Sequence, residues 1–148
     1  MTKKLYYSWQ NLEDDCRKIA RSLKNKKFEC VVGIARGGVI PAAILAFLLK
    51  SKKLYAIGYS YYEGKKRNKK LVSVYSVPKE LQGKKILLVD EVVDSGETMK
   101  KAIEDLEKRK NKVISVAIHY KSRLKPKVKP DYFVSDPGAA WVVYPWEN

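Results

Sequence analysis

ILLVDEVVDSGETM, Ile86 to Met99, decides how the rest of this chain is read. Its opening residues, Ile86-Leu87-Leu88-Val89, form an apolar run too short for a helix and predict a parallel strand buried on both faces. Asp90 and Glu91 stand at its carboxyl end. Asp94-Ser95-Gly96-Glu97-Thr98 then opens a helix expected to run to about Arg109. In open α/β sheets, ligands bind in the crevice beyond the carboxyl ends of the strands, where these residues fall. Helix-start amides and the Ser95 and Thr98 hydroxyls suit an anionic phosphate. The adjacent acids suit a polyol or a metal, so the two groups together point to a sugar phosphate. An ordinary capped turn would need Asp94 or Ser95, but not Asp90-Glu91 before it.

Outward from this stretch the elements alternate as in a doubly wound sheet. Ser8 is placed to cap a first helix, with Glu13, Asp14 and Asp15 counted in its first turns and Leu12, Cys16, Ile19, Ala20 and Leu23 on its apolar face. Cys30 to Ala35 reads as a strand, and Val39 to Lys50 as a buried helix with Pro41 in its first turn. Leu54 to Tyr62 is the next strand, and Leu71 to Val77 a returning one ended by Pro78. Between them EGKKRNKK, Glu63 to Lys70, is charged without apolar periodicity and is expected to be a mobile loop. Later come a strand over Val113 to His119, a basic Pro-punctuated segment from Lys121 to Pro130, and a short strand from Tyr132 to Val134. No linker, repeat or low-complexity tract interrupts the chain, so residues 1–148 are expected to form one α/β domain with a mostly parallel sheet and helices on both faces.

The composition narrows the setting. No stretch approaches the ~18 consecutive apolar residues of a membrane span, and the N-terminus turns acidic where a signal peptide needs an apolar core. Cys16 and Cys30 lack metal spacing and do not make a disulfide framework, so buried thiols in a reducing cytoplasm are expected. The net charge of +15 has three explanations that can coexist: attraction of a polyanionic substrate, nucleic-acid binding, or a Lys-rich surface of the heat-adapted kind. The lysines are scattered over many segments and no aromatic-interleaved basic motif occurs, which favours the last for most of them. A nucleic-acid partner is not expected on this pattern, nor is a membrane one.

A second glycine-bearing turn, Gly33-Ile34-Ala35-Arg36-Gly37-Gly38, lies between strand and helix and would allow close backbone approach to an anion. With it and the Ile86–Met99 stretch, the chain resembles the type I phosphoribosyltransferases, and its 6-oxopurine enzymes in particular. The resemblance implies that fold, with a small C-terminal hood that binds the base. It implies that Asp90 and Glu91 contact the ribose hydroxyls of phosphoribosyl pyrophosphate, Glu91 nearest a Mg²⁺ ion, and that Asp94, Ser95, Gly96, Glu97 and Thr98 hold the 5′-phosphate. Arg36 and Gly37 would hold the pyrophosphate, with a cis peptide before or at the arginine, and Arg67 in the charged loop would join them.

The same resemblance makes Asp94 the acid-base residue beside the purine imidazole ring. It aims Lys121 at the exocyclic oxygen, stacks Trp141 on the purine and bonds the Val142 backbone to its edge. Lysine offers only donors, which match an oxygen and mismatch the amino group of adenine. Glu91 and Ser95 stand where many relatives have aspartate and threonine. The implied activity is purine salvage: guanine, hypoxanthine or xanthine plus phosphoribosyl pyrophosphate giving the nucleoside monophosphate and pyrophosphate. Alternatives are an adenine enzyme, or a non-catalytic nucleotide-sensing regulator of the same fold that binds nucleic acid. A cytoplasmic dimer or tetramer is the usual state of such proteins.

Overall fold

The computed structural model describes residues 2–63 and 69–147. In chain order its elements are β1 (Lys4–Tyr6), α1 (Trp9–Ser22), β2 (Cys30–Ala35), α2 (Val39–Leu48), β3 (Leu54–Glu63), β4 (Lys69–Tyr75), β5 (Lys85–Val93), α3 (Glu97–Glu107), β6 (Lys112–Tyr120), β7 (Tyr132–Ser135) and β8 (Trp141–Val143). Six strands form one sheet in the order β4-β3-β2-β5-β6-β7. All neighbours are parallel except β3 and β4, which form an antiparallel hairpin. This is the α/β fold expected from the sequence.

Successive side chains of a strand point to opposite faces, and β5 uses both. Leu87 and Val89 pack under α1 and α2 with Leu12, Cys16, Ile19 and Leu45. Ile86 and Leu88 face the other way, packing under α3 with Met99, Ala102 and Leu106. All four β5 side chains are wholly buried, each contributing roughly 1.5–3 kcal/mol of apolar burial. From β2 the chain crosses through α2 to β3 on one side, and from β5 it crosses through α3 to β6 on the other. The crossovers diverge between β2 and β5, so the crevice at their carboxyl ends is the topological switch point where such sheets bind ligands.

The structure corrects several boundaries. Ser8 does cap α1, its Oγ accepting from Asn11 N while Asn11 Oδ1 accepts from Ser8 N. The helix starts at Trp9, however, so Glu13, Asp14 and Asp15 lie beyond its first turn, where the helix dipole is weak. α2 stops at Leu48, and Lys50 turns left-handed (φ 58°). β5 runs on to Val93, four residues past the apolar run, because pairing with β6 continues through Val92↔His119 and Val93↔Tyr120. α3 consequently starts late, at Glu97, after a left-handed Gly96 (φ 78°). β4 is shifted two residues toward the N-terminus of the strand expected at Leu71 to Val77. The charged loop from Glu63 to Lys70 shrinks, as Glu63 belongs to β3 and Lys69-Lys70 to β4; residues 64–68 lie outside the described residues.

One element has no counterpart in the sequence reading. β1 and β8 pair in parallel as a separate two-stranded sheet, Lys4↔Trp141 to Tyr6↔Val143. It ties the N-terminus to the C-terminal segment that carries Trp141 and Val142. Neither three-residue strand shows a period long enough to read.

Replacing Leu88 by alanine leaves a cavity in the middle of β5 and should lower the unfolding free energy by about 2–5 kcal/mol. Urea denaturation of the variant checks this, and a loss below about 1 kcal/mol would contradict the central place given to this strand.

Candidate active site

Two loops flank the switch point, one after β2 and one after β5. The first carries a cis peptide between Ala35 and Arg36. It then passes so close to β5 that a side chain at Gly38 would strike main chain and one at Gly37 would strike the Glu91 carboxylate. A Cβ on Gly37 would lie 1.2 Å from Glu91 Oε2, and one on Gly38 would lie 2.7 Å from the carbonyl oxygens of Ile34 and Val89. The glycines therefore let the Glu91 carboxylate lie against the main chain of the first loop.

The second loop, Asp94 to Gly96, is pinned from outside. Lys127 N donates to the Ser95 carbonyl at 2.8 Å, and a Cβ on Gly96 would press on the backbone nitrogens of Lys127 and Val128. Glu97 N donates to Ser95 Oγ at 3.3 Å.

Three clefts meet at Glu91. The first, of about 340 Å³, is lined by Asp90, Glu91, Asp94, Ser95, Gly96 and Thr98, with Tyr59 and Tyr61 of β3 as its far wall. The second, of about 690 Å³, is bounded by Arg36, Gly37, Ile40, Glu91, Trp146 and Glu147. The third, of about 230 Å³, includes Asp94, Lys121, Trp141, Val142 and Tyr144 as well as Glu91. Glu91 belongs to all three, and Asp94 links the first to the third.

Charge is distributed unevenly among them. Asp90 is buried, its Oδ1 accepting from Glu91 N at 2.9 Å. Burial above all, then the neighbouring Glu91 carboxylate, pushes its pKa well above the usual carboxylate range. Lys121 is only 6% exposed, so it is not one of the surface lysines. Its Nζ lies 3.0 Å from Asp94 Oδ1 and 5.4 Å from the centroid of Trp141. The approach to Asp94 is off the hydrogen-bonding direction, which leaves that buried oxygen without a hydrogen-bond partner among the described residues. Trp141 is half exposed, its ring forming a wall of the third cleft and not part of the core. Among the described residues no three His, Cys, Asp or Glu side chains are grouped to hold a metal.

The sequence profile of the phosphoribosyl transferase domain family matches residues 3–147. The chain belongs to that family. It is 32% identical over 147 residues to a xanthine-guanine phosphoribosyltransferase of Gluconobacter oxydans, a match covering 95% of this chain and 83% of the other. Its fold matches that of a purine phosphoribosyltransferase from Pyrococcus horikoshii with a TM-score of 0.90 at 31% identity, over 98% of this chain and 95% of that one. A Neisseria gonorrhoeae protein solved with bound ppGpp matches with a TM-score of 0.85 at 28% identity, over the whole of this chain and 91% of that one.

As a phosphoribosyl transferase, the chain presents most of its expected site residues at these clefts. Glu97 is an exception. Its carboxylate is taken up by the Tyr61 hydroxyl and by Lys127 Nζ at 3.0 Å, and these partners, the tyrosine first, lower its pKa. Only its main chain remains for the phosphate loop. Arg67 lies outside the described residues.

Sequence reasoning missed the support behind Glu91. Tyr144 donates to the Glu91 carbonyl at 3.2 Å and lies 2.8 Å from His119 Nδ1. Tyr7 meets the His119 ring edge-on at 4.9 Å, and its hydroxyl donates to Asp15. These residues come from α1, β6 and the two chain ends, so no local motif announces them.

His119 is the sole histidine of the chain and is 1% exposed. Burial foremost lowers its pKa to about 4, with Lys121 acting in the same direction and Asp15 opposing. The unfolded chain therefore takes up this proton first. The stabilisation is complete above about pH 6.5 and is lost as the pH falls toward 4, about 3 kcal/mol in all. A proton NMR titration should show the single imidazole still neutral at pH 5.5; a midpoint near 6.5 would mean an exposed ring.

Gly37→Ala tests the contact between the two loops. The clash falls on the end of a flexible side chain, so the variant should fold with little change in melting temperature while displacing the Glu91 carboxylate. Turnover should drop at least about tenfold, some 1.4 kcal/mol in the barrier, and unchanged turnover would show that the placement of Glu91 is immaterial.

Proposed function

We propose that the chain is a purine salvage enzyme that joins a 6-oxopurine to the ribose of phosphoribosyl pyrophosphate and releases pyrophosphate. The observation that carries this reading is the third cleft. A buried lysine, a carboxylate and an indole face converge there, next to a loop suited to phosphate. Lys121 offers donors to an exocyclic oxygen and leaves an amino group unpaired. The xanthine-guanine activity named for the Gluconobacter relative, and the guanine nucleotide held by the Neisseria protein, agree with a base of this kind.

In this reaction the bond from ribose C1 to the pyrophosphate oxygen breaks, and a bond from C1 to an imidazole nitrogen of the purine forms. The base loses a ring proton as it attacks. Asp94 sits between the ribose-phosphate and base clefts and receives or steadies that proton. Its carboxylate lies 3.0 Å from Lys121 Nζ and lines both of these clefts. Ser95, Gly96 and Thr98 anchor the 5′-phosphate, so that binding energy at an unreactive group positions C1. Asp90, kept toward its neutral form by burial, and Glu91 bind the ribose hydroxyls. Arg36, with the Gly37 backbone, steadies the leaving pyrophosphate.

Mg²⁺ fits this donor set. It favours a near-octahedral shell of waters and substrate phosphates with one or two carboxylates, so a lone Glu91 beside the second cleft is enough. When bound, it would neutralise charge building up on the pyrophosphate. We assign the enzyme to the cytoplasm and to a homodimer or homotetramer. α2 leaves Phe47 87% exposed, an apolar side chain that a second copy would cover.

Pyrophosphate release, measured with each purine and pyrimidine base in turn, tests the reading. Guanine, hypoxanthine or xanthine should be used well and adenine poorly. A preference for adenine would contradict the base assignment, and no release with any base would favour the nucleotide-sensing regulator. Asp94→Asn should fold normally and lose roughly 10²–10⁴-fold in turnover. Near-normal turnover would remove Asp94 from the acid-base role.

A further inference from the structure

Lysines that are scattered along the sequence converge in space. In a parallel α/β sheet each helix-to-strand connection returns to the edge where strands begin, opposite the edge that carries the clefts. Here the α1–β2 connection holds Lys24, Lys26 and Lys27, and the α2–β3 connection holds Lys50, Lys52 and Lys53. The path from β4 into β5 contributes Lys79, Lys84 and Lys85. The α3–β6 connection adds Lys108, Arg109 and Lys110, with Lys112 at the start of β6. The acids in these four stretches are Glu29 and Glu80.

Main-chain bonds set these residues side by side. Val31 N donates to the Lys53 carbonyl at 3.0 Å, Glu29 N to that of Lys85 at 2.8 Å, and Lys112 N to that of Lys84 at 2.8 Å. Lys85 and Lys112 are paired in register. The starts of β3, β2, β5 and β6 are consecutive in the sheet, so this row spans roughly 14 Å at ordinary strand spacing. Two hollows open on it. One, of about 450 Å³, is lined by Lys26, Lys27, Lys85 and Lys112 with Asn25, Phe28 and Ile114. The other, of about 320 Å³, is lined by Lys79, Lys108, Arg109 and Lys110 with Gln82. Neither contains an acid.

Favourable placement of cations at helix carboxyl ends accounts for one or two residues per helix. It does not account for Lys84, Lys85 and Lys112, which follow loops or open strands. Lys50 and Lys110 also take left-handed backbone (φ 58° and 64°), a conformation that favours glycine. Among the described residues of this row, only Lys108 has a carboxylate within ion-pair distance, Asp105 at 3.8 Å. The positive charge is thus concentrated, largely unneutralised and remote from the substrate clefts.

We propose that this edge is a docking surface for double-helical nucleic acid, held through its phosphate backbone and not through its bases. Twelve of the thirteen cations are lysines, which suit phosphates as point charges, whereas base reading favours the forked guanidinium of arginine. Of the large apolar side chains exposed among the described residues, Leu54 at the start of β3 and Phe47 in the last turn of α2 border these connections. Phe28 in the first hollow is half-buried, so beside thirteen cations the edge offers few of the stacking platforms that single strands use or the apolar wedges that a membrane surface would take.

Fluorescence anisotropy with labelled duplexes of about 20 base pairs tests this surface. Two unrelated sequences should bind equally, with log affinity falling against log salt by about 0.9 per phosphate contacted. Saturating phosphoribosyl pyrophosphate should not compete. Combined Lys26→Glu, Lys85→Glu and Lys112→Glu should weaken binding at least tenfold and reduce the salt slope by about 3. The change should leave phosphoribosyl transfer and melting temperature unaltered.

A control with the same net charge, Lys18→Glu, Lys100→Glu and Lys129→Glu, should bind within threefold of the parent. Should the first triple variant fail to fold, glutamine at the same three positions should still weaken binding several-fold. The proposal is overturned by absence of binding at about 50 mM salt or by displacement with phosphoribosyl pyrophosphate. Equal losses in the two triple variants, or tighter binding to phosphatidylserine vesicles than to duplex in the same buffer, would overturn it as well.

Discussion

β5 is covered by α1 and α2 on one face and by α3 on the other; it pairs with β2 as far as Val89 and with β6 through to Val93, so its carboxyl end grows out of a strand held from four sides. That end carries Asp90 and Glu91. The Glu91 carboxylate fills space that any side chain at position 37 would need, and its carbonyl accepts from Tyr144. The main chain of Glu91 is thus anchored while its carboxylate rests against the first loop, and preorganisation of this kind is where enzymes gain most of their electrostatic stabilisation. The three clefts follow from it, since each uses Glu91 as a shared wall.

The legible part of this molecule was the part with strong local pattern. An uninterrupted apolar run showed β5; the glycines of the first loop announced a close backbone approach to an anionic ligand, and the structure shows that they also admit β5 and its Glu91. The order of strands and helices, the Ser8 cap and the buried thiols of Cys16 and Cys30 followed from periodicity and residue type. Boundaries set by tertiary pairing were not legible. β5 outlasts its apolar run because β6 continues beside it, and α3 starts late because a left-handed Gly96 must first turn the chain. The β1–β8 pair was invisible because three residues show no period, although it anchors Trp141. At the site, the family resemblance singled out Asp94, Lys121 and Trp141, which line one cleft, but not Tyr144, His119 and Tyr7, which meet only when both chain ends pack on β6. Glu97 shows the opposite failure: a residue inside the motif whose carboxylate is spent on Tyr61 and Lys127.

One topology also sorts the charge. Strand-to-helix turns gather at the carboxyl edge, where acids, hydroxyls and glycines surround the clefts. Helix-to-strand turns gather at the opposite edge, where the lysines accumulate. A net charge of +15 is thus a poor description of what a ligand meets at either end. Near the clefts the local balance is set by Asp90, Glu91, Asp94 and Glu147 against Arg36 and Lys121, and there the burial of Asp90 matters more than the overall sum.

In the proposed reaction, ribose-phosphate and base occupy two clefts joined through Asp94 and Glu91. A crystal structure of the protein soaked with guanosine 5′-monophosphate tests it most directly. The 5′-phosphate should lie against the Ser95–Thr98 main chain, the ribose hydroxyls on Asp90 and Glu91, and the purine on Trp141 with its oxygen toward Lys121. A nucleotide found with its base among the Arg36 loop residues, or with its phosphate beside Lys121, would contradict it.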